Sequence, residues 1–435
     1  MPPSATEDEL IPERLSILYV SPMPASPPRA GAQARMHGLM TNLALRHEIT
    51  AITLCDEEFD AEEYGRAMRE YCGEVILLAN PKGKDGLAKR ALQLRAAASW
   101  RSYEHHRFAV PALQSELDRV LRQKRFDVVN LEFPYLAHFR LRQSPPGTPP
   151  PPLVIDAHEI AYDIARQFAR NGQGLARRVH AGLNWRKLRR EEIAAFRAAD
   201  GICACSVADQ QRLLEDVPAA RTVVVPNAAD VEFYHPRPSD PRPDGRTVVF
   251  FGLLSTFPNL DGVGFFVREI WPRIIARRPD ARCRIIGGRA PPSIQALAGP
   301  QIEITGLVPD LRPYLASAAA LVVPLRIGGG TRLKIVEGMA MARPIVSTTL
   351  GAEGIDAVPE RDILIADDGA GFAAAVLRLL DDPGLGARLG RSARKLAVEK
   401  YAWSSAAVTL ERFFREVIAV RSPACEFHEP TEETA

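Results

Sequence analysis

No apolar run in the 435 residues approaches the ~20 that a membrane-spanning helix needs, so the chain is not expected to cross a bilayer. Met1 to Arg14 is polar and acidic, without the apolar core of a signal peptide, and the expected location is therefore the cytoplasm. Cysteine is sparse. Cys55, Cys72, Cys203, Cys205, Cys283 and Cys425 are scattered, which suits reduced thiols rather than a disulfide framework. Cys203 and Cys205 fall on one face of a strand with no second Cys or His pair near them in sequence, so core packing accounts for them better than a metal site. An excess of one charge is missing too: a formal net charge of +2 gives no global attraction to nucleic acid. The acidic, proline-bearing stretch from Ser422 to Ala435 has little to bury and is expected to be disordered.

What is present is a globular composition, 46% hydrophobic and 25% charged, in a chain long enough for about two domains. Short buried-strand patterns alternate with helical ones, twice over. The first set is 15–20, 49–54, 74–78, 126–131, 153–157, 202–205 and 222–225, with an amphipathic helix predicted from Gly31 to Arg46. Pro236, Pro238, Pro241 and Pro243 then mark a stiff linker. The alternation restarts at 247–251 and continues at 282–286, 302–304, 320–323, 344–347 and 362–365. Helices between strands imply right-handed crossovers and parallel sheets. The expected fold class is α/β, with two Rossmann-like, doubly wound domains facing across a cleft. Residues 1–235 form the first domain and 236–403 the second, a helix over 404–421 crosses back to the first, and 422–435 is a tail.

The richest stretch is Gly328-Gly329-Gly330-Thr331-Arg332-Leu333-Lys334-Ile335-Val336-Glu337, directly after the fourth strand of the second set. Gly329 and Gly330 let backbone approach a ligand closely. Thr331 is the predicted N-cap, with Leu333, Val336 and Ala340 at helical spacing. The helix N-terminus favours an anion, while Arg332 and Lys334 oppose the helix dipole unless a polyanion sits there. Glu337, five residues beyond Arg332, lies roughly 7–8 Å further along the helix, where it suits ribose hydroxyls. The stretch is neither a P-loop nor a dinucleotide fingerprint, because no Gly-Lys-Ser/Thr or Gly-x-Gly-x-x-Gly occurs in it. Gly31 opens a second helix after a loop with Pro22, Pro24, Pro27 and Pro28, and would bring another N-terminus to the cleft.

These residues, with Ser21-Pro22, Ser206 and Asp209, Pro226-Asn227-Ala228-Ala229-Asp230, Phe251-Gly252, Thr305-Gly306-Leu307-Val308 and Arg343-Pro344-Ile345-Val346-Ser347-Thr348, resemble the retaining nucleotide-sugar glycosyltransferases of family 4, also called glycosyl transferases group 1, with the GT-B fold. The likeness implies transfer from a nucleotide-diphosphate sugar to an acceptor hydroxyl, in cell-surface polysaccharide or glycoconjugate synthesis. It implies a saccharide or lipid-linked acceptor and no cofactor. It also implies that His158 contacts the donor, that Leu307 and Val308 meet the base, and that Gly252 lies by the phosphates. No D-x-D follows a strand, so no divalent metal is expected. In one respect the chain departs from the pattern: Gly329 stands where the family's Glu-x7-Glu has its first, sugar-contacting glutamate, and that role is either lost or taken by backbone N–H groups.

Arg35 and His37 read as solvated or packed residues of the first helix. The basic segment from Arg166 to Arg190 offers a peripheral contact with anionic membrane at its inner face, or a solvated surface. Two other functions fit the same fold: a nucleotide-sugar epimerase or hydrolase, and a catalytically silent nucleotide-sugar binder.

Overall fold

The computed structural model describes residues 12–81, 86–171 and 175–421; the stretch at 422–435 and most of the N-terminal segment, on which two of the expectations above fall, lie outside the described residues. Seven strands build the first sheet: β1 (Ser16–Ser21), β2 (Glu48–Cys55), β3 (Glu74–Ala79), β4 (Val128–Glu132), β5 (Leu153–Ala157), β6 (Gly201–Ala204) and β7 (Thr222–Val224). Their order is β3-β2-β1-β4-β5-β6-β7, all parallel. Six strands build the second: β8 (Thr247–Phe251), β9 (Arg282–Ile286), β10 (Ile302–Gly306), β11 (Ala320–Val323), β12 (Ile345–Ser347) and β13 (Leu364–Ile365). Their order is β10-β9-β8-β11-β12-β13, again all parallel.

Helices cover both faces of each sheet, so β1, β4, β5, β8 and β11 are buried almost from end to end, as their unbroken apolar runs require. In both sheets the strand order reverses beside the first strand, between β1 and β4 and between β8 and β11. Crevices open at such switch points, outside the carboxyl ends of the strands. The loop after β8 holds Gly252, the loop after β11 holds the three glycines, and the segments after β4 and β5 hold Phe133 and His158.

The helix Trp403–Arg421 returns from the second half of the chain to pack on the helix Gly31–Ala44 of the first. Gly38 makes this possible. A Cβ there would lie 2.3 Å from Trp403 Cδ2, so the indole occupies the space of the missing side chain. Ala229 N donates to Tyr401 O at 2.8 Å at the same junction. Among the described residues no helix is long and apolar enough to cross a membrane.

Gly38 lies in a helix interior, where alanine is the better helix former, so any loss on substitution reports overpacking against Trp403. Gly38→Ala is expected to lower unfolding free energy by about 1–3 kcal/mol in denaturant titration; a gain in stability would contradict the packing described.

Candidate active site

Two helix N-termini meet where the sheets face each other. The helix Gly31–Ala44 begins after Ala30, and the helix Leu333–Ala340 begins after Arg332; neither N-cap side chain accepts a hydrogen bond, and neither first turn carries an acid. A Cβ on Gly31 would lie 3.2 Å from Leu333 Cδ1, so the two ends are in contact distance across the cleft. The first N–H groups of a helix have no intrahelical acceptor. Here two such sets converge with no side-chain oxygen at either cap.

Thr331 is not the N-cap. The helix starts two residues after it, and its hydroxyl donates instead to Cys205 O, 2.6 Å away at the end of the first sheet. Asn227 Nδ2 donates to Thr331 O at 2.7 Å, and Gln167 Oε1 accepts from Gly328 N at 3.2 Å. Gly330 has φ +71°, and a Cβ there would lie 2.9 Å from His158 O. The glycine loop is thus seated on the first domain, and Gly330 is required by close approach as well as by conformation. Gly329 faces Ile164 and Asp209, whose atoms would lie 3.6 and 3.7 Å from a Cβ there.

Lys334 turns back toward the loop after β8. Its Nζ donates to Asn259 Oδ1 at 2.7 Å, lies 4.1 Å from the centre of the Phe250 ring, and would be 3.1 Å from a Cβ on Gly252. Burial, with a further push from the charge of Arg332, pulls the ammonium down to about 7. One turn on, burial pushes the Glu337 carboxyl up to about 7, against the opposing pull of Lys334 and the Tyr234 hydroxyl. Arg332 donates to Gly330 O at 2.7 Å through Nη1, while its Nη2 is buried with no partner. Burial lowers its affinity for the proton, and the nearest opposing charges are Glu353, Glu159 and Asp209.

His158 follows β5 and is buried against the ring of Phe133, 4.0 Å between centres, with Nε2 2.5 Å from Glu132 Oε2. Phe133 itself is held at φ +70°. Arg35 is neither solvated nor available to a ligand. It is 1% exposed, paired twice with Asp156 at 2.8 and 2.9 Å, and donates to Val225 O and Asn227 Oδ1. Glu132, Asp156 and His158 have ligand atoms within 4.8 Å of one another, the spacing of a metal site. Asp156 is already paired with Arg35, and Glu132 is hydrogen-bonded to the His158 ring.

Leu307 and Val308 part company. Leu307 is 65% exposed and lines a cleft of about 540 Å³ with Gly287, Gly288, Arg289 and Gly306, at the carboxyl ends of β9 and β10, whereas Val308 packs against the core. Sequence reasoning missed Glu132, Asn259, Tyr234 and Glu353. Glu132 carried the same signal as His158, a polar residue ending an apolar strand. Asn259, Tyr234 and Glu353 lie on helices or turns with no pattern of their own.

Two parallel-sheet domains that meet at the carboxyl edges of their strands define a GT-B glycosyltransferase architecture. The chain belongs to the glycosyltransferases of family 4, group 1: the family model described as "Glycosyltransferase Family 4" matches residues 30–233, and that described as "Glycosyl transferases group 1" matches residues 245–382. Alpha-D-kanosaminyltransferase of Streptomyces kanamyceticus is 31% identical over 172 residues, 36% of this chain and 42% of that protein, so the match spans less than half of the relative. Among solved structures, sucrose-phosphate synthase from Thermosynechococcus elongatus aligns with a TM-score of 0.67 at 16% identity over 94% of this chain and 100% of that one. Anabaena HepE, solved in complex with UDP and glucose, aligns with a TM-score of 0.59 at 14% identity over 92% and 99%. Likeness at these identities is likeness of fold.

A diphosphate at this position is expected to bind the protonated form of Lys334, whose ammonium burial pulls down to about 7. Above that pH binding takes up a proton, so affinity for UDP, GDP or ADP is expected to fall by up to about tenfold per pH unit. Calorimetry between pH 6 and 9 checks this, and Lys334→Gln should flatten the profile.

Proposed function

We propose that this chain transfers a sugar, with retention, from a nucleoside-diphosphate donor to an acceptor hydroxyl. The observation that carries the reading is the pair of uncapped helix N-termini at Gly31 and Leu333 with the desolvated Lys334 beside them. Such an arrangement stabilises the charge that grows on a departing diphosphate, and it is already in place before reaction. Glu337, with Tyr234, takes the ribose hydroxyls, and the base lies in the cleft beside Leu307. Gly252 and the backbone of Gly330 and Thr331 line the phosphate side. In a front-face mechanism the leaving phosphate accepts the acceptor proton, so no protein nucleophile is required. His158, braced by Glu132 and Phe133, orients a sugar hydroxyl at the reacting face. No metal or cofactor enters this scheme.

The acceptor in this reading is a saccharide or lipid-linked hydroxyl at the inner face of a membrane. Support comes from the helices Gly86–Ala98 and Leu175–Ala198, which pack together: Lys187 Nζ donates to Ala96 O at 2.6 Å, and the Arg190 guanidinium lies 4.7 Å from the Trp100 ring. Leu87, Leu94, Trp100, Val179 and Leu183 are 53–82% exposed on this surface. Lys89, Arg90, Arg95, Arg178, Arg186 and Lys187 lie on the same two segments, with no acid in 86–103 or 178–190, while Arg189 pairs with Asp216 and Arg101 and Arg190 lie within 4.0 Å of Glu191. Exposed apolar side chains interspersed with cations suit an anionic bilayer. Arg166 is paired with Asp163 at 3.5 Å, on a helix whose Gln167 and Phe168 meet the second domain. The seat therefore lies further along than the stretch beginning at Arg166, and includes a second helix.

A melting screen with UDP, GDP and ADP is expected to show one base winning, and Glu337→Ala is expected to abolish that shift; unchanged affinity would refute the ribose assignment. Product analysis with and without acceptor separates transfer from epimerisation, hydrolysis or silent binding. The protein is expected to co-sediment with phosphatidylglycerol vesicles at low salt and to be released at high salt, and Leu94→Glu with Leu183→Glu should prevent it. Absence of binding at low salt would end the membrane reading.

A further inference from the structure

The family's first glutamate is replaced by Gly329, yet a carboxylate reaches the same neighbourhood from another loop. Glu353 lies in the turn after β12, at the carboxyl edge of the second sheet. The next residue, Gly354, has φ +79°, and a Cβ on it would lie 2.7 Å from Ser206 Cβ and 3.3 Å from Thr331 Oγ1. That turn is therefore pressed between the first domain and the glycine loop. Arg212, on the helix Val207–Asp216 of the first domain, donates to Glu353 Oε1 at 2.7 Å and contacts Asp209 Oδ1 at 3.3 Å. Asp209 Oδ1 is in turn the atom 3.7 Å from the position of a Cβ on Gly329. The chain of contacts from Gly329 to Glu353 is only two side chains long.

Two atoms in this cluster are left over. Glu353 Oε2 and Arg332 Nη2 are both buried, and each lacks a hydrogen-bond partner. They carry opposite charge, and Glu353 is the strongest opposing charge felt by Arg332, yet among the described residues they form no ion pair. A buried acceptor and a buried donor left open near each other call for a group that can serve both. A phosphate serves only the guanidinium and is repelled by the carboxylate. A hydroxyl serves both, because its O–H donates to Glu353 Oε2 while its oxygen accepts from Arg332 Nη2. In the glycine loop Gly328 N and Gly330 O are already engaged by Gln167 and Arg332.

We infer that Glu353, held by Arg212 and working with Arg332, is the donor-sugar contact that replaces the missing glutamate, binding a hydroxyl of the transferred sugar. This rests on the donor reading proposed above. It moves Arg332 from the diphosphate to the junction of phosphate and sugar, and leaves the phosphates to the helix ends and Lys334. Because Arg212 belongs to the first domain and Glu353 to the second, the contact is complete only when the two domains meet.

The test uses the full chain and measures, by calorimetry, the affinity for UDP, GDP and ADP and for UDP-glucose, GDP-mannose and ADP-glucose. Glu353→Gln is expected to leave the affinity for the preferred bare diphosphate within about twofold while weakening the matching sugar nucleotide by about tenfold or more, the range for a hydrogen bond to a charged group. Glu353→Asp should weaken it less. The Cβ position on Gly329 meets its neighbours only at ordinary contact distances, so a side chain can leave the backbone there, and Gly329→Glu is the variant to use. Added to Glu353→Gln, it is expected to recover part of the lost affinity. Preserved sugar-nucleotide affinity in Glu353→Gln would overturn the assignment alone, as would equal loss of diphosphate and sugar nucleotide, which marks a structural role. Failure of the unsubstituted protein to bind any of the three diphosphates would overturn the donor reading and this inference with it.

Discussion

The Arg35 guanidinium is where the candidate site is tied together. It lies on the helix that presents Gly31, pairs with Asp156 near the end of the strand that presents His158, and donates to Asn227, whose amide holds Thr331 O of the glycine loop. Three elements from separate parts of the chain take their positions from one fully buried cation. Such an ion pair is weak evidence of stability, because desolvation offsets much of the attraction, but loss of one partner leaves an uncompensated buried charge costing about 3–5 kcal/mol. The arrangement fixes geometry more than it adds stability.

Around that anchor the site keeps positive potential unmet. Lys334 is held from water against Phe250 and Asn259, and its proton is loosened by burial and by Arg332. Glu337, one turn away, is pushed the opposite way by the same burial. A folded protein has little reason to bury a lysine and two bare helix ends together unless something anionic completes them. That is the physical content of the donor reading, and it holds whichever sugar is carried.

Much of this was legible in the sequence. All thirteen strands overlap the segments read as strands, most plainly β1, β4, β5, β8 and β11, which are covered on both faces and need no alternation. The misses at the edges have plain causes. Pro344 cannot donate to the ladder and β12 starts one residue later, while Pro344 O still accepts from Leu321 N. Thr331 has the chemistry of an N-cap, but Cys205 O, 126 positions away, claims its hydroxyl. Arg35 read as solvated or packed, and the packed alternative is the one found, but nothing local names Asp156 as its partner. Glu353 shows the same limit: its meaning depends on Arg212 and on a turn packed against Ser206, none of which leaves a local pattern.

The central claim is that a diphosphate sits between the two helix ends, and a crystal structure of the protein with the preferred nucleoside diphosphate tests it most directly. Phosphate oxygens are expected at about 3 Å from the first backbone N–H groups of the helices beginning at Gly31 and Leu333, with Lys334 Nζ in the same shell. Phosphates bound elsewhere, with those N–H groups facing only solvent, would contradict it.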